Sequence, residues 1–127
     1  MVRLNLLLDT HVLIWVFEDD PRLPAKVAEA VENAETNAYI SAITAWEIAI
    51  KITVGKLHLD KSLDRIIETS RYRRLNLSFS SHRRYTELPL LHRDPFDRML
   101  IAQALDEGLT LVTNDRNIRR YDVPILW

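Results

Sequence analysis

No cysteine occurs among the 127 residues, which excludes a disulfide framework, a thiol nucleophile and a thiolate metal site. That absence fits a reducing compartment, so a cytoplasmic location is expected. Glycine is nearly as scarce. Two glycines are too few for a flexible linker between domains or for a glycine-rich phosphate loop. Long apolar runs are missing too: the longest clean one, Val12 to Phe17, falls far short of the roughly 20 residues a membrane span needs. No N-terminal leader is expected, because Asn5, Asp9 and His11 interrupt the opening apolar stretch and no small-residue cleavage site follows. The four histidines (His11, His58, His82 and His92) lack the paired spacing of a helical zinc site. Ser80, Ser81 and His82 do not sit in a nucleophile-elbow sequence.

What is present is an ordinary globular balance, 47% hydrophobic and 28% charged, and one domain over residues 1–127 is expected. Leu4 to Leu8 reads as a buried strand that stops at Asp9. A helical pattern follows from Thr10 to Glu18, and Pro24 opens a second helix to about Asn33. Asn37 to Ser41 reads as a strand. Ile43 to Val54, apolar nearly all round, reads as a helix buried on most sides. Leu63 to Tyr72 suggests an amphipathic helix, Leu75 to Phe79 an alternating strand, and Ser80 to Leu88 a short helix. Asp94-Pro95 starts a strong helix that runs to Glu107 and stops at Gly108. Thr110 to Thr113 is a strand, Arg116 to Arg120 one helical turn, and Val123 to Leu126 a last strand. Strands alternating with helices imply crossovers. The expected architecture is a three-layer α/β/α fold on a short, mostly parallel sheet of four to five strands.

In such sheets ligands gather outside the carboxyl ends of the strands. Asp9 follows the first strand, Asn114 and Asp115 follow the Thr110–Thr113 strand, Glu47 lies one turn into a helix, and Asp94 and Asp97 occupy the first turn of the long helix. Five carboxylates therefore fall near one edge. Each has a plain structural alternative: Asp94 as an N-cap before proline, Asp97 as a helix-dipole partner, Asp9 and Asp115 as caps, and Glu47 as an ion pair with Lys51. Together they ask for a cation, because clustered carboxylates repel and raise one another's pKa. Oxygen-only ligands select Mg²⁺ or Mn²⁺ over zinc, and such an ion beside phosphate oxygens is the chemistry of phosphodiester hydrolysis.

Although the net charge is −1, residues 65–98 carry eight arginines (Arg65, Arg71, Arg73, Arg74, Arg83, Arg84, Arg93 and Arg98) against four acids. This basic middle is either a phosphate-facing patch or a solvated helix face. Arg71 to Arg74 and Arg83 to Tyr85 interleave charge with aromatic rings, as single-stranded RNA would use; a surface for a protein partner is the alternative.

Four segments carry a resemblance: Leu6-Leu7-Leu8-Asp9-Thr10-His11, Ser41-Ala42-Ile43-Thr44-Ala45-Trp46-Glu47-Ile48, His92-Arg93-Asp94-Pro95-Phe96-Asp97-Arg98-Met99-Leu100-Ile101-Ala102-Gln103-Ala104, and Leu111-Val112-Thr113-Asn114-Asp115. In order and spacing the chain resembles the PIN-domain ribonucleases, specifically the VapC-like toxins of toxin–antitoxin pairs. The resemblance implies that Asp9, Glu47 and Asp97 hold Mg²⁺ or Mn²⁺, with Asp115 as a fourth acid and Thr10 and Thr113 in support. It implies cleavage of single-stranded or loop RNA to 3′-hydroxyl and 5′-phosphate ends, a homodimer, and a small antitoxin covering the acids. Two rivals belong to other classes. A phosphoacceptor signalling domain would want a second acid beside Asp9, where Thr10 stands. A non-catalytic module would use the acids to bind a basic partner.

Overall fold

Leu6, Leu7 and Leu8 are all fully buried, which in a strand requires both faces of the sheet to be covered, since successive side chains point to opposite sides. They form β1 (Asn5–Leu8). The remaining strands are β2 (Asn37–Ser41), β3 (Arg73–Leu75), β4 (Thr110–Val112) and β5 (Ile125–Leu126). All pairings are parallel, in the order β3-β2-β1-β4-β5. The structure, a computed structural model, describes residues 3–127; Met1 and Val2, at the start of the expected domain, lie outside the described residues.

Among the described residues six helices cover the sheet: α1 (Thr10–Glu18), α2 (Ala25–Glu32), α3 (Ala42–Thr53), α4 (Leu63–Thr69), α5 (Phe79–Glu87) and α6 (Pro95–Glu107). The alternation of β1 sorts them into layers. Leu6 and Leu8 join Val12 and Leu13 of α1, Val27 and Val31 of α2, and Ile67 of α4 in one core. Leu7 joins Leu100, Ile101 and Ala104 of α6, with Leu111 and Ile118, in the other. Helix α3 lies between them, giving Ile48 to the first core and Ile43 to the second. Fully burying one such aliphatic side chain stabilises by about 1.5–3 kcal/mol, so the Leu6–Leu8 strand anchors both cores.

Three expectations need correction. The Leu75–Phe79 strand is displaced toward the N-terminus: β3 ends at Leu75, and Phe79, 91% exposed, instead begins α5. The helix expected to reach Tyr72 stops at Thr69, and Arg71 with φ 59° turns the chain into β3. Most consequentially, α3 is not buried on most sides. Trp46 is 60% exposed, and Ile50, Ile52 and Val54 are exposed with it. Its all-round apolar character therefore reflects an apolar face left uncovered in the isolated chain, which marks an interaction surface when it is contiguous. Among the described residues no helix is long and apolar enough to cross a membrane.

Helix α6 begins and ends as its sequence dictates. The Asp94 side chain accepts from the Phe96 and Asp97 amides at 2.9 and 3.1 Å, and Pro95 occupies the first turn, where its missing N–H costs nothing. Gly108 closes the helix in the left-handed region at φ 66°, with open space where a Cβ would stand. Gly108→Ala should therefore destabilise through backbone conformation alone, by about 1–2 kcal/mol. Denaturant titration checks this; an unchanged midpoint contradicts the left-handed cap.

Candidate active site

The strand order sets the site. From β1 the chain crosses to β2 and β3 on one side, while β4 and β5 lie on the other. The carboxyl ends of β1 and β4 therefore stand side by side at a topological switch point, where a crevice opens in sheets of this kind. Leu8 pairs with Val112, and the residues just beyond, Asp9 and Thr113, face each other. The Asp9 amide donates to the Val112 carbonyl at 3.0 Å. The Thr113 hydroxyl donates to Asp9 Oδ2 at 2.8 Å. Asp9 stands at the N-cap position of α1, yet its side chain makes no capping bond. Its carboxylate is turned to Thr113 instead, so the capping alternative fails for Asp9.

Glu47 reaches the same crevice from α3. Ser41 caps that helix by accepting from the Ile43 amide at 3.0 Å, and its hydroxyl donates to Gln103 of α6, which fixes where α3 begins. The Thr10 hydroxyl donates to Glu47 Oε1 at 2.7 Å, with the Thr44 hydroxyl 3.3 Å from Thr10 Oγ. Lys51 lies 3.6 Å from Glu47 Oε2. The predicted ion pair is present. Asp115 has a double role: its own amide donates to Thr113 Oγ at 3.0 Å, while its carboxylate accepts from the Asn117 and Ile118 amides and caps the 3-10 turn Ile118–Arg120. Asn114 beside it is exposed.

Asp97 carries a network that the sequence did not signal. His92 Nε2 lies 3.2 Å from Asp97 Oδ2, and His92 Nδ1 lies 2.8 Å from the Tyr121 hydroxyl. That phenol oxygen already accepts from Arg98 Nη1 at 2.9 Å and from the His92 amide at 3.3 Å. With both lone pairs engaged, its proton is left to donate to Nδ1, which puts the imidazole proton on Nε2, facing Asp97. Tyr121, more than twenty residues away in sequence, thus orients an acid it never touches. No motif in the chain could have revealed that.

Burial pushes the Asp9 carboxyl above its ordinary range; the Thr113 hydrogen bond and His11 oppose the rise, and Asp115 and Glu47 add to it. Asp97 is pushed up to about 8, chiefly by burial and then by the charges of Asp94, Asp115, Asp9 and Glu47. Four other carboxylates are thus within electrostatic reach of one. They are not drawn into a closed shell: among the described residues no three His, Asp or Glu side chains are gathered tightly enough to hold a metal ion as they stand. Each acid rests on its own donor, Asp9 on Thr113, Glu47 on Thr10 and Lys51, and Asp97 on His92. As a donor set, oxygen-only and mutually repelling, these residues suit a hard divalent cation.

The arginines divide. Arg98 is buried, donating to the Pro89 carbonyl, the Tyr121 hydroxyl and the Tyr85 carbonyl, so its expected role in binding substrate is corrected to a structural one. Arg71 and Arg73 line a polar cavity at the amino end of β2 and β3, the edge opposite the acids. Arg74, also in β3, pairs with Asp64 at 3.0 Å. Arg83 and Arg84 are exposed on α5, and Arg93 is exposed next to His92 and Asp94.

The profile of the PIN domain family matches residues 6–124. The chain belongs to the PIN-domain family. Ribonuclease VapC22 of Mycobacterium tuberculosis is 30% identical over 128 residues, covering 94% of each chain. Solved structures share the fold of this PIN domain. A DNA-bound complex, VapBC2 of Rickettsia felis, aligns with a TM-score of 0.73 at 21% identity over 97% of this chain and 98% of that one. Another, VapBC of Salmonella typhimurium, aligns with a TM-score of 0.71 at 20% identity over 97% of both.

The raised carboxyl of Asp97 has a definite consequence for stability. Between about pH 4 and about pH 8 the folded PIN domain keeps the Asp97 proton while the unfolded chain has released it, so stability falls as pH rises through that window. Asp9 shifts in the same direction. In chelator, the melting temperature should decline from mildly acidic to mildly alkaline pH. Asp97→Asn, which cannot ionise, should melt higher than wild type at pH 8 and decline less steeply. Equal slopes in the two proteins would contradict the electrostatic picture.

Proposed function

We propose that the chain, as one nuclease domain, is an endoribonuclease dependent on Mg²⁺ or Mn²⁺, cleaving RNA phosphodiester bonds as the toxin of a toxin–antitoxin pair. The supporting observation is the half-buried Asp97 with Asp9, Glu47 and Asp115 within electrostatic reach of it at the sheet's switch point. Asp9, Glu47, Asp97 and Asp115 would hold the ion, which when bound supplies polarisation of the phosphoryl oxygen and a more acidic attacking water. Thr113 and Thr10 keep the Asp9 and Glu47 carboxylates aimed into the crevice, and Lys51 offsets part of the Glu47 charge. His92 fixes the orientation of Asp97. Asn114 supports the site from beside Asp115, and the exposed Arg93, next to His92 and Asp94, suits contact to phosphate; Arg83 and Arg84 offer a further basic face.

The relative VapC22 bears the name ribonuclease, and the structural neighbours are VapBC complexes. Both favour a small cognate antitoxin as partner, and a cytoplasmic location goes with that reading. The exposed Trp46, packed at a tilt against Phe96 with centroids 5.3 Å apart, with the exposed Ile50 and Ile52 on the same helix, favours a homodimer. The alternative is a non-catalytic module that binds a basic partner through the same acids. Cleavage decides between them.

Asp9→Asn should reduce Mg²⁺-dependent cleavage of single-stranded RNA to background while the protein stays folded. Thr113→Val, which removes only the hydroxyl that orients Asp9, should lower cleavage about 10–100-fold, the usual cost of losing an outer-shell partner. Wild-type rates in Asp9→Asn would contradict the role given to Asp9, and no cleavage by either protein would leave the non-catalytic module as the better reading.

A further inference from the structure

A cavity of about 130 Å³ opens beside the acids, lined by Asp9, His11, Val12, Trp15, Asn114 and Asp115. It shares Asp9 and Asp115 with the proposed cleavage site and continues along the first turns of α1. Val12, Leu13 and Ile14 of that helix are buried, whereas His11 is exposed and Trp15 half-buried. Four residues apart, the two rings lie on one face of the helix, with centroids 6.4 Å apart and planes tilted by 55°. The indole is immobilised from other directions: the Arg22 guanidinium sits 4.8 Å from its centroid, and Trp127 packs against it at 5.9 Å. Arg22 is itself held by two bonds to Asp20, at 3.1 and 2.7 Å.

We propose that this cavity is a nucleobase subsite, in which a base of the RNA strand next to the scissile phosphate stacks on the His11–Trp15 face and meets the Asn114 amide with its edge. The inference rests on the ribonuclease reading above and adds which side of the acids the strand follows. Three features of the cavity favour a base. Its walls hold two carboxylates, Asp9 and Asp115, and no lysine or arginine, so it does not suit a phosphate. Its aromatic side offers two rings tilted 55° to each other, so that a base stacked on one is flanked by the other, and stacking on such side chains is the usual sequence-tolerant contact of single-stranded RNA. Asn114 can both donate and accept, as base edges require. The indole is held in place before binding, so little side-chain freedom is lost when a base docks.

The test compares two fluorescent single-stranded decaribonucleotides of mixed sequence, one intact and one with abasic sugars throughout, binding to the Asp97→Asn protein in Mg²⁺. Phosphate count is equal, so any difference reports the bases. The intact strand should bind about tenfold more tightly, within the range of one stacked base. That preference should vanish when His11→Ala or Trp15→Leu is added, and Trp15→Phe should restore most of it. His11 is exposed, so His11→Ala keeps the test valid if Trp15→Leu fails to fold. Equal binding of the two strands, or a preference that survives both variants, overturns the subsite while leaving the ribonuclease reading intact. No binding of either strand overturns the subsite, and the ribonuclease reading is then decided by the cleavage assay on Asp9→Asn. If His11→Ala weakens only an arginine-rich peptide and leaves RNA unaffected, the pocket serves a protein partner and the subsite falls.

Discussion

Everything in the crevice depends on the junction where β1 and β4 end. One backbone bond, Asp9 to Val112, and one side-chain bond, Thr113 to Asp9, the latter between residues 104 apart in sequence, join the two strand ends. They hold a carboxylate at 5% exposure in a place where burial without a partner would cost several kcal/mol. A one-residue slip in this register would send Asp9 to the other face of the sheet. Because Leu6, Leu7 and Leu8 pack into both cores, such a slip would also turn the core inside out. The register that makes the fold stable is therefore the same register that aims the first acid.

Around that junction the molecule works against itself. Asp97 and Asp9 are pushed toward their neutral forms by burial and by each other's neighbours, which opposes stability near neutral pH. The two aliphatic cores offset the cost. Local donors share the rest: Thr10 and Lys51 at Glu47, and the chain from Arg98 through Tyr121 to His92 at Asp97. Acids that are retained despite mutual repulsion are a common trade of stability for function. The same network explains why Arg98, an arginine inside the basic segment, faces inward. Its guanidinium is spent on two carbonyls and the phenol that orients His92.

Much of this was legible in the residues. Strands that stop at Asp9 and at Thr113, a proline-opened helix after Asp94, and the Gly108 stop all follow from local chemistry, and the structure keeps them. The shift of β3 to Arg73–Leu75 was not legible, because Leu75 to Phe79 alternates as well as any strand while the turn that decides the matter is the left-handed Arg71. The exposure of α3 escaped for a related reason: composition shows that a helix face is apolar but not what covers it. Among the acids, order along the chain located their shared edge. The Tyr121–His92 linkage was invisible, since it depends on a fold-level contact between a loop and the segment after a 3-10 turn.

Convergence on a cation is tested most directly by diffraction from crystals soaked in Mn²⁺, read in the anomalous signal of the metal. A peak is expected within about 2.0–2.3 Å of carboxylate oxygens from Asp9 and Asp97, near the distances hard divalent ions take, with Glu47 and Asp115 turned toward it directly or through water. Manganese absent from the crevice at millimolar concentration, with the four carboxylates still resting on their separate donors, would contradict it.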